Sequence, residues 1–364
     1  MSRSPQKKIR ILSILIAILA VADILVISAC FRVPGKKASD PATEPTEIQD
    51  ETTEPEPTDP EAPVSTATVL ATGDLLMHKK VIDSGKQEDG SYDFSSIFRY
   101  ISPIVQQADY AVANLETTLA GTDNGYAYSG NPKFNSPDAI VDAAKNAGFQ
   151  MLLTANNHSL DTGLVGFKRT VQVVREKGLE TLGTYLTADE KKWTVVNVNG
   201  INLGMVCYTY SDGFNQSGKP VLNFVNELSE EGLLNYFTYD HLPEFYEELG
   251  TYVKEMKAAG ADATILFIHW GTEYRLSADT NQAAMAQALC DLGIDAIVGG
   301  HPHVVEPMDL LTSSQDPSHK TVVLYSLGNA VSNQRKEEIE SRPTGETEDG
   351  LLYRLTFGKY ADGT

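Results

Sequence analysis

Residues 296–307 read A-I-V-G-G-H-P-H-V-V-E-P. An apolar run typical of a buried strand, residues 296–299, leads into a glycine pair and is followed by His301 and His303. Glycine allows a close approach of the backbone, and sites in open α/β sheets form outside the carboxyl ends of the strands. This stretch therefore predicts a buried strand that ends at a site containing two imidazoles.

Similar apolar runs alternate with helical patterns along the chain, at residues 67–73, 110–115, 150–155, 263–268 and 321–326. Residues 193–198 and 201–208 flank Asn199-Gly200, which is a strong signal for a β-hairpin. Continuous apolar strands separated by helices predict the α/β class, with a sheet covered by helices. Residues 213–246 are rich in aromatic and acidic side chains and break this alternation, so we interpret them as an insertion or a lid.

A polar side chain follows each of these predicted strands. The candidate ligands at these strand ends are Asp74, Glu116, Asn157, His269, His301 and His303. Oxygen and imidazole ligands without thiolate suit Mn²⁺, Fe or Zn²⁺. Two such ions held about 3.5–4 Å apart can polarise a phosphoryl oxygen and activate water near neutral pH. The set therefore predicts two divalent metal ions.

Other kinds of active site fit the sequence less well. No G-x-S-x-G elbow, Walker loop or dinucleotide-binding fingerprint is present in the sequence. An acid pair of the glycosidase type, Asp74 with Glu116, is conceivable but leaves the histidines without a role. The formal net charge of −20 argues against nucleic acid as a partner, because phosphate backbones attract lysine and arginine.

The N-terminal region, residues 1–37, has a net charge of +6 and predicts attachment to a membrane. Four basic residues precede an apolar run at residues 11–30, which favours an inside N-terminus and an outside remainder. The run is long enough for an uncleaved transmembrane anchor, and a lipoprotein signal ending at Cys30 is the alternative. We favour the anchor, because Asp23 and Phe31 are unusual in a lipoprotein signal. Both interpretations place the domain outside the cell membrane and tethered to it.

Residues 38–65 predict a disordered spacer between this membrane segment and a domain at residues 66–364. Residues 38–63 contain nine acids and no basic residue, and they are rich in proline and threonine. Such a segment has too little apolar surface to fold, and proline and charge repulsion keep it extended. The rest of the chain, from residue 64 onwards, has a net charge of −17.

Seven motifs in this order resemble the CapA family of capsule and poly-γ-glutamate synthesis proteins: ATGDLLMH, ANLETTL, NPKFNSP, TANNHSLDTG, FIHWGTEY, GGHPHVVEP and YSLGN. That family is related to the calcineurin-like metallophosphoesterases, and the resemblance covers roughly residues 66–335. It implies a metallophosphatase-like four-layer α/β/β/α sandwich. It also implies that the six candidate ligands hold the metal ions, with Glu116 in the bridging position.

The resemblance further implies that His158 is the general acid and that Asp161 orients it. Two positions depart from the phosphoesterase pattern. Leu76 stands where those enzymes have a metal-binding histidine, and Glu116 stands where they have a bridging aspartate. His78 lies four residues after Asp74 and is the nearest histidine in the sequence. Four residues are candidates for the substrate side of the site, with loop packing as the alternative: Lys133, Asn135, Trp270 and Glu273.

These observations leave several functions open. The first is a metal-dependent hydrolase or transferase that acts in capsule or poly-γ-glutamate production, on a phosphoester or on the bonds of the polymer. The second is a non-catalytic component that guides or anchors an anionic polymer beside other capsule synthesis proteins. The negative domain charge argues against this second function, because poly-γ-glutamate would be repelled unless metal ions intervene. The third is a structural domain with a vestigial site.

Overall fold

Two large β-sheets form the centre of the molecule. The computed structural model describes residues 62–224 and 226–361. In this part of the chain the strands are, in chain order, β1 (Ser65–Leu76), β2 (Tyr110–Glu116), β3 (Met151–Leu153), β4 (Glu180–Leu182), β5 (Thr194–Val198), β6 (Ile201–Tyr210), β7 (Val221–Leu222), β8 (Asn226–Glu227), β9 (Tyr236–Phe237), β10 (Ala263–His269), β11 (Ala296–Gly300), β12 (Met308–Thr312), β13 (Lys320–Leu324), β14 (Asn329–Val331) and β15 (Leu352–Lys359). The helices are α1 (Lys79–Ser84), α2 (Ser102–Val105), α3 (Ala139–Ala147), α4 (Gly163–Glu176), α5 (Leu242–Ala258) and α6 (Thr280–Asp291), with 3₁₀ turns at Asp123–Gly125, Tyr239–His241 and Glu346–Glu348.

Most neighbouring strands within each sheet run parallel. The first sheet has the order β14-β1-β2-β3-β4 with all neighbours parallel, and β15 pairs antiparallel with β1. The second sheet has the order β12-β13-β11-β10-β6-β5, with β9 beside β6, and only the edge strands β12 and β5 are antiparallel to their neighbours. The carboxyl ends of the parallel strands therefore meet at one edge of each sheet.

The two sheets pack face to face over one apolar layer. Val69 and Val112 enter this layer from the first sheet, and Met205 and Phe267 enter it from the second. Helices α3 and α4 cover the outer face of the first sheet, and α5 and α6 cover the outer face of the second. Strands covered on both faces need apolar residues at nearly every position, which explains their continuous apolar runs. The predicted four-layer α/β/β/α sandwich is confirmed.

An irregularity in β1 directs the end of that strand. The pairing of β1 with β2 shifts register between Thr72 and Asp74, as it does at a β-bulge, which bends a strand and re-aims its side chains. Gly73 lies inside this shift, and a Cβ there would be 1.8 Å from the carbonyl oxygen of Gly328. Only glycine allows β1 to pass this close to the turn before β14.

The segment interpreted as an insertion or a lid does interrupt the alternation of strands and helices. It contains the short antiparallel pair β7 and β8, and β9 adds to the second sheet beside β6. Its predicted end at residue 246 is too late, because α5 already begins at Leu242.

The predicted membrane segment, residues 1–37, lies outside the described residues. Of the predicted spacer, residues 38–65, only the last few are described, and β1 begins at Ser65. Within residues 62–224 and 226–361, no helix combines the length and the apolar character needed to cross a membrane. The membrane anchor stays a prediction.

Candidate metal centre

The carboxyl ends of strands from both sheets place the predicted ligands together. Asp74 lies near the end of β1, Glu116 ends β2 and His269 ends β10, while Asn157 follows β3. The two histidines of the opening motif follow β11. All of these side chains are buried, with at most 7 % of any residue exposed: Asp74, Glu116, Asn157, His158, His269, His301 and His303.

Glu116 lies between imidazoles in the middle of this group. Its Oε1 atom is 3.5 Å from Nε2 of His269 and 3.9 Å from Nε2 of His303. On the other side of His303, Nδ1 lies 3.2 Å from Oδ2 of Asp74. This central position is the one that the family resemblance implies for a bridging carboxylate.

Amide side chains and backbone groups hold the carboxylates and histidines in place. Asn157 Oδ1 lies 3.0 Å from Nε2 of His269. Asn114 donates from Nδ2 to Oδ1 of Asp74 at 2.8 Å, and Asn156 donates to Oδ1 of Asn114 at 3.1 Å. Asn329, at the start of β14, donates to the carbonyl oxygen of His303 at 3.2 Å. These contacts order the candidate ligands.

Three buried polar atoms in this group fit metal ions. Among the described residues, Glu116 Oε1, His301 Nδ1 and His303 Nδ1 have no hydrogen-bond partner. The contact of His303 Nδ1 with Asp74 is close enough for charge attraction, but its direction does not suit a hydrogen bond. Burying such an atom without a partner costs about 1–3 kcal/mol, and more for a charged group. A cation beside these atoms would remove that cost.

The ligand atoms form two groups that share one residue. In Glu116, His301 and His303, and also in Asp74, Glu116 and His269, the ligand atoms lie within 4.8 Å of one another. Two ions that share Glu116 would satisfy both groups. Nitrogen and oxygen ligands of this kind suit Mn²⁺, Fe or Zn²⁺ and do not select one of them. The residues therefore fit the predicted pair of divalent ions.

The charges of the two opening histidines differ because their surroundings differ. Burial lowers the pKa of His301 well below its usual value, and neighbouring imidazoles add to this. Burial also lowers the pKa of His303, but Glu116 and Asp74 outweigh it and raise the pKa to about 9. His301 is therefore neutral, as a metal ligand must be, whereas a metal ion would displace a proton from His303.

His158 and Asp161 form a hydrogen-bonded pair beside this group. His158 Nδ1 lies 2.7 Å from Oδ2 of Asp161, which also accepts the backbone N–H of Phe134 at 2.6 Å. The His158 ring packs edge-on against Phe134, with 4.6 Å between the ring centroids. Burial lowers the pKa of His158, but the hydrogen bond and charge of Asp161 outweigh it and raise the pKa. The imidazole is therefore held in one orientation and keeps its proton readily.

Leu76, which replaces the metal-binding histidine of the phosphoesterases, and the nearby His78 lie near the site in different ways. Leu76 is buried at the end of β1 and, being aliphatic, supplies no ligand atom. His78 Nδ1 accepts the backbone N–H of Asn333 at 3.2 Å. Burial lowers the pKa of His78 to about 4. Neither of the two ligand groups found in the described residues includes His78.

The four predicted substrate-side residues divide into two pairs. Asn135 is buried, accepts from the backbone N–H of Ala120 and donates to two backbone carbonyl oxygens. Trp270 is also buried and donates to the carbonyl oxygen of Tyr325 at 2.9 Å. Packing, the alternative left open by the sequence, accounts for these two residues. Lys133 and Glu273 are exposed, and their place on the substrate side stays a prediction.

Sequence reasoning missed three residues that contact this region. The ring of Tyr210 lies 4.8 Å from that of His301 and 6.3 Å from that of His269, centroid to centroid. Asn223 and Asn226, on either side of the β7–β8 turn, reach the His158–Asp161 pair. Tyr210 ends an apolar strand, which was a usable signal. The two asparagines follow no motif, and only the fold brings them to the site.

Most of the chain is similar to known bacterial proteins. Residues 68–334 match the family described as bacterial capsule synthesis protein, PGA_cap. The capsule biosynthesis protein CapA of Bacillus anthracis is 30 % identical over 270 residues, which are 73 % of this chain and 60 % of that protein. The PGA biosynthesis protein CapA of Bacillus subtilis is 30 % identical over 264 residues, covering 72 % of this chain and 62 % of the relative. This chain thus spans less than two thirds of the length of these relatives.

A crystal structure from Staphylococcus aureus, described as that of a 5'-nucleotidase in complex with alpha-ketoglutarate, is a distant structural neighbour. The two chains are 15 % identical with a TM-score of 0.47, over 82 % of this chain and 52 % of the other. A likeness at this level says nothing about the reaction of this chain.

Proposed function

This chain belongs to the family of bacterial capsule synthesis proteins, and on that premise we propose that it is a divalent-metal-dependent hydrolase of phosphoester type. The observation that carries the proposal is the pair of buried ligand groups that share Glu116. The hydrogen-bonded His158 and Asp161 lie directly beside them, next to Asn157. A site built only for structural metal binding would not need an acid of this kind.

The residues of the chain divide the work of hydrolysis between them. Asp74, Glu116, Asn157, His269, His301 and His303 would hold the ions, which when bound supply Lewis-acid polarisation of the phosphoryl oxygens and activation of water. The oxygen of water forms the new bond to phosphorus and its proton passes to the solvent, while the bond from phosphorus to the leaving oxygen breaks. His158 donates its Nε2 proton to that leaving oxygen, while Asp161 fixes the ring through Nδ1.

The proposed role of this activity is in the synthesis or export of a capsule or of poly-γ-glutamate. Both curated relatives are described as biosynthesis proteins of these polymers.

The charged flank and apolar run at residues 1–37 support a domain tethered outside the cell membrane. Protease added to intact cells should then degrade the domain, and complete protection would contradict this location.

A non-catalytic role in handling an anionic polymer is the second candidate. Leu76 favours it, because a site with one ligand fewer than the phosphoesterases has would hold one ion more weakly. In this version bound ions bridge the acidic domain to an acidic polymer. Poly-γ-glutamate binding by the full-length chain should then disappear with EDTA, and binding that persists would contradict a metal bridge.

Metal content and turnover of the full-length chain, purified in detergent, test the proposed hydrolase. We expect near two equivalents of metal in the wild type and clearly less in His269→Ala. We expect His158→Ala to keep its metal but to hydrolyse phenyl phosphate at least about 10²-fold more slowly, because it lacks the general acid. The exposed His241, changed to alanine, is the control and should alter neither value.

Two results would contradict the hydrolase. Equal turnover in His158→Ala would remove that residue from the reaction. No bound metal in the wild type, even after Mn²⁺ or Zn²⁺ is supplied, would contradict the hydrolase and the metal bridge of the second candidate alike.

A further inference from the structure

The insertion between β6 and α5 reaches across to the His158–Asp161 pair. Asn223 follows β7, and Asn226 begins β8. Asn223 Nδ2 lies 3.4 Å from Oδ1 of Asp161 and donates to the carbonyl oxygen of Pro132 at 3.1 Å. Asn226 Nδ2 lies 3.3 Å from the same Oδ1 atom. Two amide groups from the insertion therefore cover one oxygen of this carboxylate.

The second oxygen of Asp161 is covered from the other side. Oδ2 accepts from His158 Nδ1 at 2.7 Å and from the backbone N–H of Phe134 at 2.6 Å. Each carboxylate oxygen thus has two donors. The two hydrogen bonds to Oδ2 are short, and the two to Oδ1 are long. A carboxylate held at both oxygens cannot rotate about its Cβ–Cγ bond without losing hydrogen bonds. Since Asp161 is only 4 % exposed, bulk water does not replace a lost donor freely.

The turn that carries these amides has an uncommon backbone. Asn223 has a φ of 50° and Phe224 a φ of 61°, both in the left-handed region. Asparagine tolerates this region, but a bulky residue such as phenylalanine seldom adopts it. The backbone N–H of Phe224 donates to Oδ2 of Asp212 at 2.8 Å and holds the turn. Such conformations persist where the surrounding structure fixes them, and they cluster at functional sites.

Asn226 also contacts Lys133, which is predicted to lie on the substrate side. Its Oδ1 atom accepts from Nζ of Lys133 at 3.3 Å. The same side chain therefore lies between the orienting carboxylate and a cation that faces solvent. The insertion connects these two parts of the site through one amide.

We propose that Asn223 and Asn226 are positioning residues that fix His158 through Asp161, so that the insertion completes the general acid. The inference rests on the proposed hydrolase function. With both amides removed, Oδ1 loses these two donors and Asp161 gains freedom to turn. The His158 ring then turns with it, and Nε2 no longer points at one place. Misplacement of a proton donor lowers the rate of the step that needs its proton.

The dependence of kcat on the leaving group of the substrate tests this positioning role. Phenol is a weaker acid than p-nitrophenol, so phenyl phosphate needs the proton from His158 more than p-nitrophenyl phosphate does. We expect the double variant Asn223→Ala/Asn226→Ala, in the full-length chain, to lose about tenfold in kcat on phenyl phosphate. On p-nitrophenyl phosphate the loss should be less than about twofold. A general loss of stability would lower both rates equally.

Asn215→Ala is the matched control. Asn215 lies in the same insertion, but its Nδ2 donates to Oε2 of Glu227, away from Asp161. This variant should keep the wild-type ratio of the two rates. Equal losses on both substrates in the double variant would overturn the proposed positioning role.

A second readout does not depend on turnover. In the metal-free protein, a fixed His158 Nδ1–H···Asp161 bond gives a slowly exchanging imidazole proton in the NMR spectrum. We expect this signal in the wild type and in Asn215→Ala, and its loss or broadening in the double variant. If the wild type hydrolyses neither ester, the proposed function fails while this signal still decides the positioning role. An unchanged signal in the double variant would overturn that role.

Discussion

Gly300 ends β11 beside two candidate ligands. A Cβ at this position would lie 2.9 Å from Oδ1 of Asp74 and 3.6 Å from Nδ1 of His269. The first distance is too short for a real contact, so Asp74 would have to move. The backbone of Gly300 is not in the left-handed region, so an alanine there is compatible with the strand. Glycine at this position is needed for the close approach to Asp74.

Gly300→Ala should therefore weaken metal binding without unfolding the protein. We expect at least a tenfold weaker affinity for Mn²⁺ in isothermal titration calorimetry, because the new methyl group displaces Asp74. Gly250→Ala is the control, since its Cβ would meet only Leu292 Cδ2 at 3.5 Å. In the interior of α5 that change should stabilise the protein by up to about 1 kcal/mol and leave the affinity unchanged. Wild-type affinity in Gly300→Ala would argue against Asp74 as a ligand.

At the scale of strands and helices, long apolar runs were predictable and short elements were not. The runs that became β1, β2, β10 and β11 are nearly continuous because helices or the other sheet cover both of their faces. The Asn199-Gly200 signal is confirmed by the hairpin of β5 and β6. Strands β7 and β8 have two residues each, which is too short to show an alternation of apolar and polar residues. Contacts elsewhere in the fold determine them.

The residues of the candidate site also divide into those that the sequence could predict and those that it could not. Residues that directly follow a strand, such as Glu116 and His269, could be assigned because the strand fixes where they point. Trp270, one residue further on, turns into the core beneath α5 and α6, and nothing in the motif distinguishes it from a surface residue. Asn223 and Asn226 are about 65 residues from the pair they contact. Only the folded chain brings such residues together.

Glu306, which contacts the start of α6, is a buried acid that no proposed reaction uses. Asp279 and Gln282 form a capping box there, and Gln282 Nε2 donates to Oε2 of Glu306 at 2.8 Å. Glu306 is 3 % exposed, and its Oε1 atom has no hydrogen-bond partner within the described part of the chain. Burial raises the pKa of Glu306 to about 7, although the hydrogen bond from Gln282 opposes this.

Glu306→Gln should stabilise the protein above pH 7 and change little at pH 5. The folded state keeps the proton of Glu306 up to a pKa of about 7, whereas the unfolded state releases it near 4.5. The free energy of unfolding of the wild type therefore falls as the pH rises through this interval, by roughly 3 kcal/mol. Urea unfolding at pH 5 and pH 8 measures the free energy of unfolding of the wild type and of Glu306→Gln. Glu244→Gln, a change at an exposed residue, is the control. An equal gain at both pH values would contradict this origin.

At the scale of the whole molecule, the candidate ligands come from both sheets. Asp74 and Glu116 lie on the first sheet, and His269 lies on the second, while His301 and His303 follow a strand of the second. One of the two ligand groups, Asp74 with Glu116 and His269, already joins the sheets by itself. Metal ions bound here would tie the two halves of the sandwich together. Without them, buried carboxylates of the first sheet face polar atoms of the second that have no partner.

Metal binding should therefore stabilise the whole fold and not only the loops around the site. At a free ion concentration 100 times the Kd, one bound ion adds about 2.7 kcal/mol to the free energy of unfolding. For a domain of about 300 residues that corresponds to a rise in Tm of roughly 4 °C. Calorimetry of the full-length chain with Mn²⁺ and with EDTA measures the difference. Glu116→Gln, which removes the carboxylate common to both ligand groups, should lose most of the rise; the same rise in that variant would mean that the stabilising ions bind elsewhere.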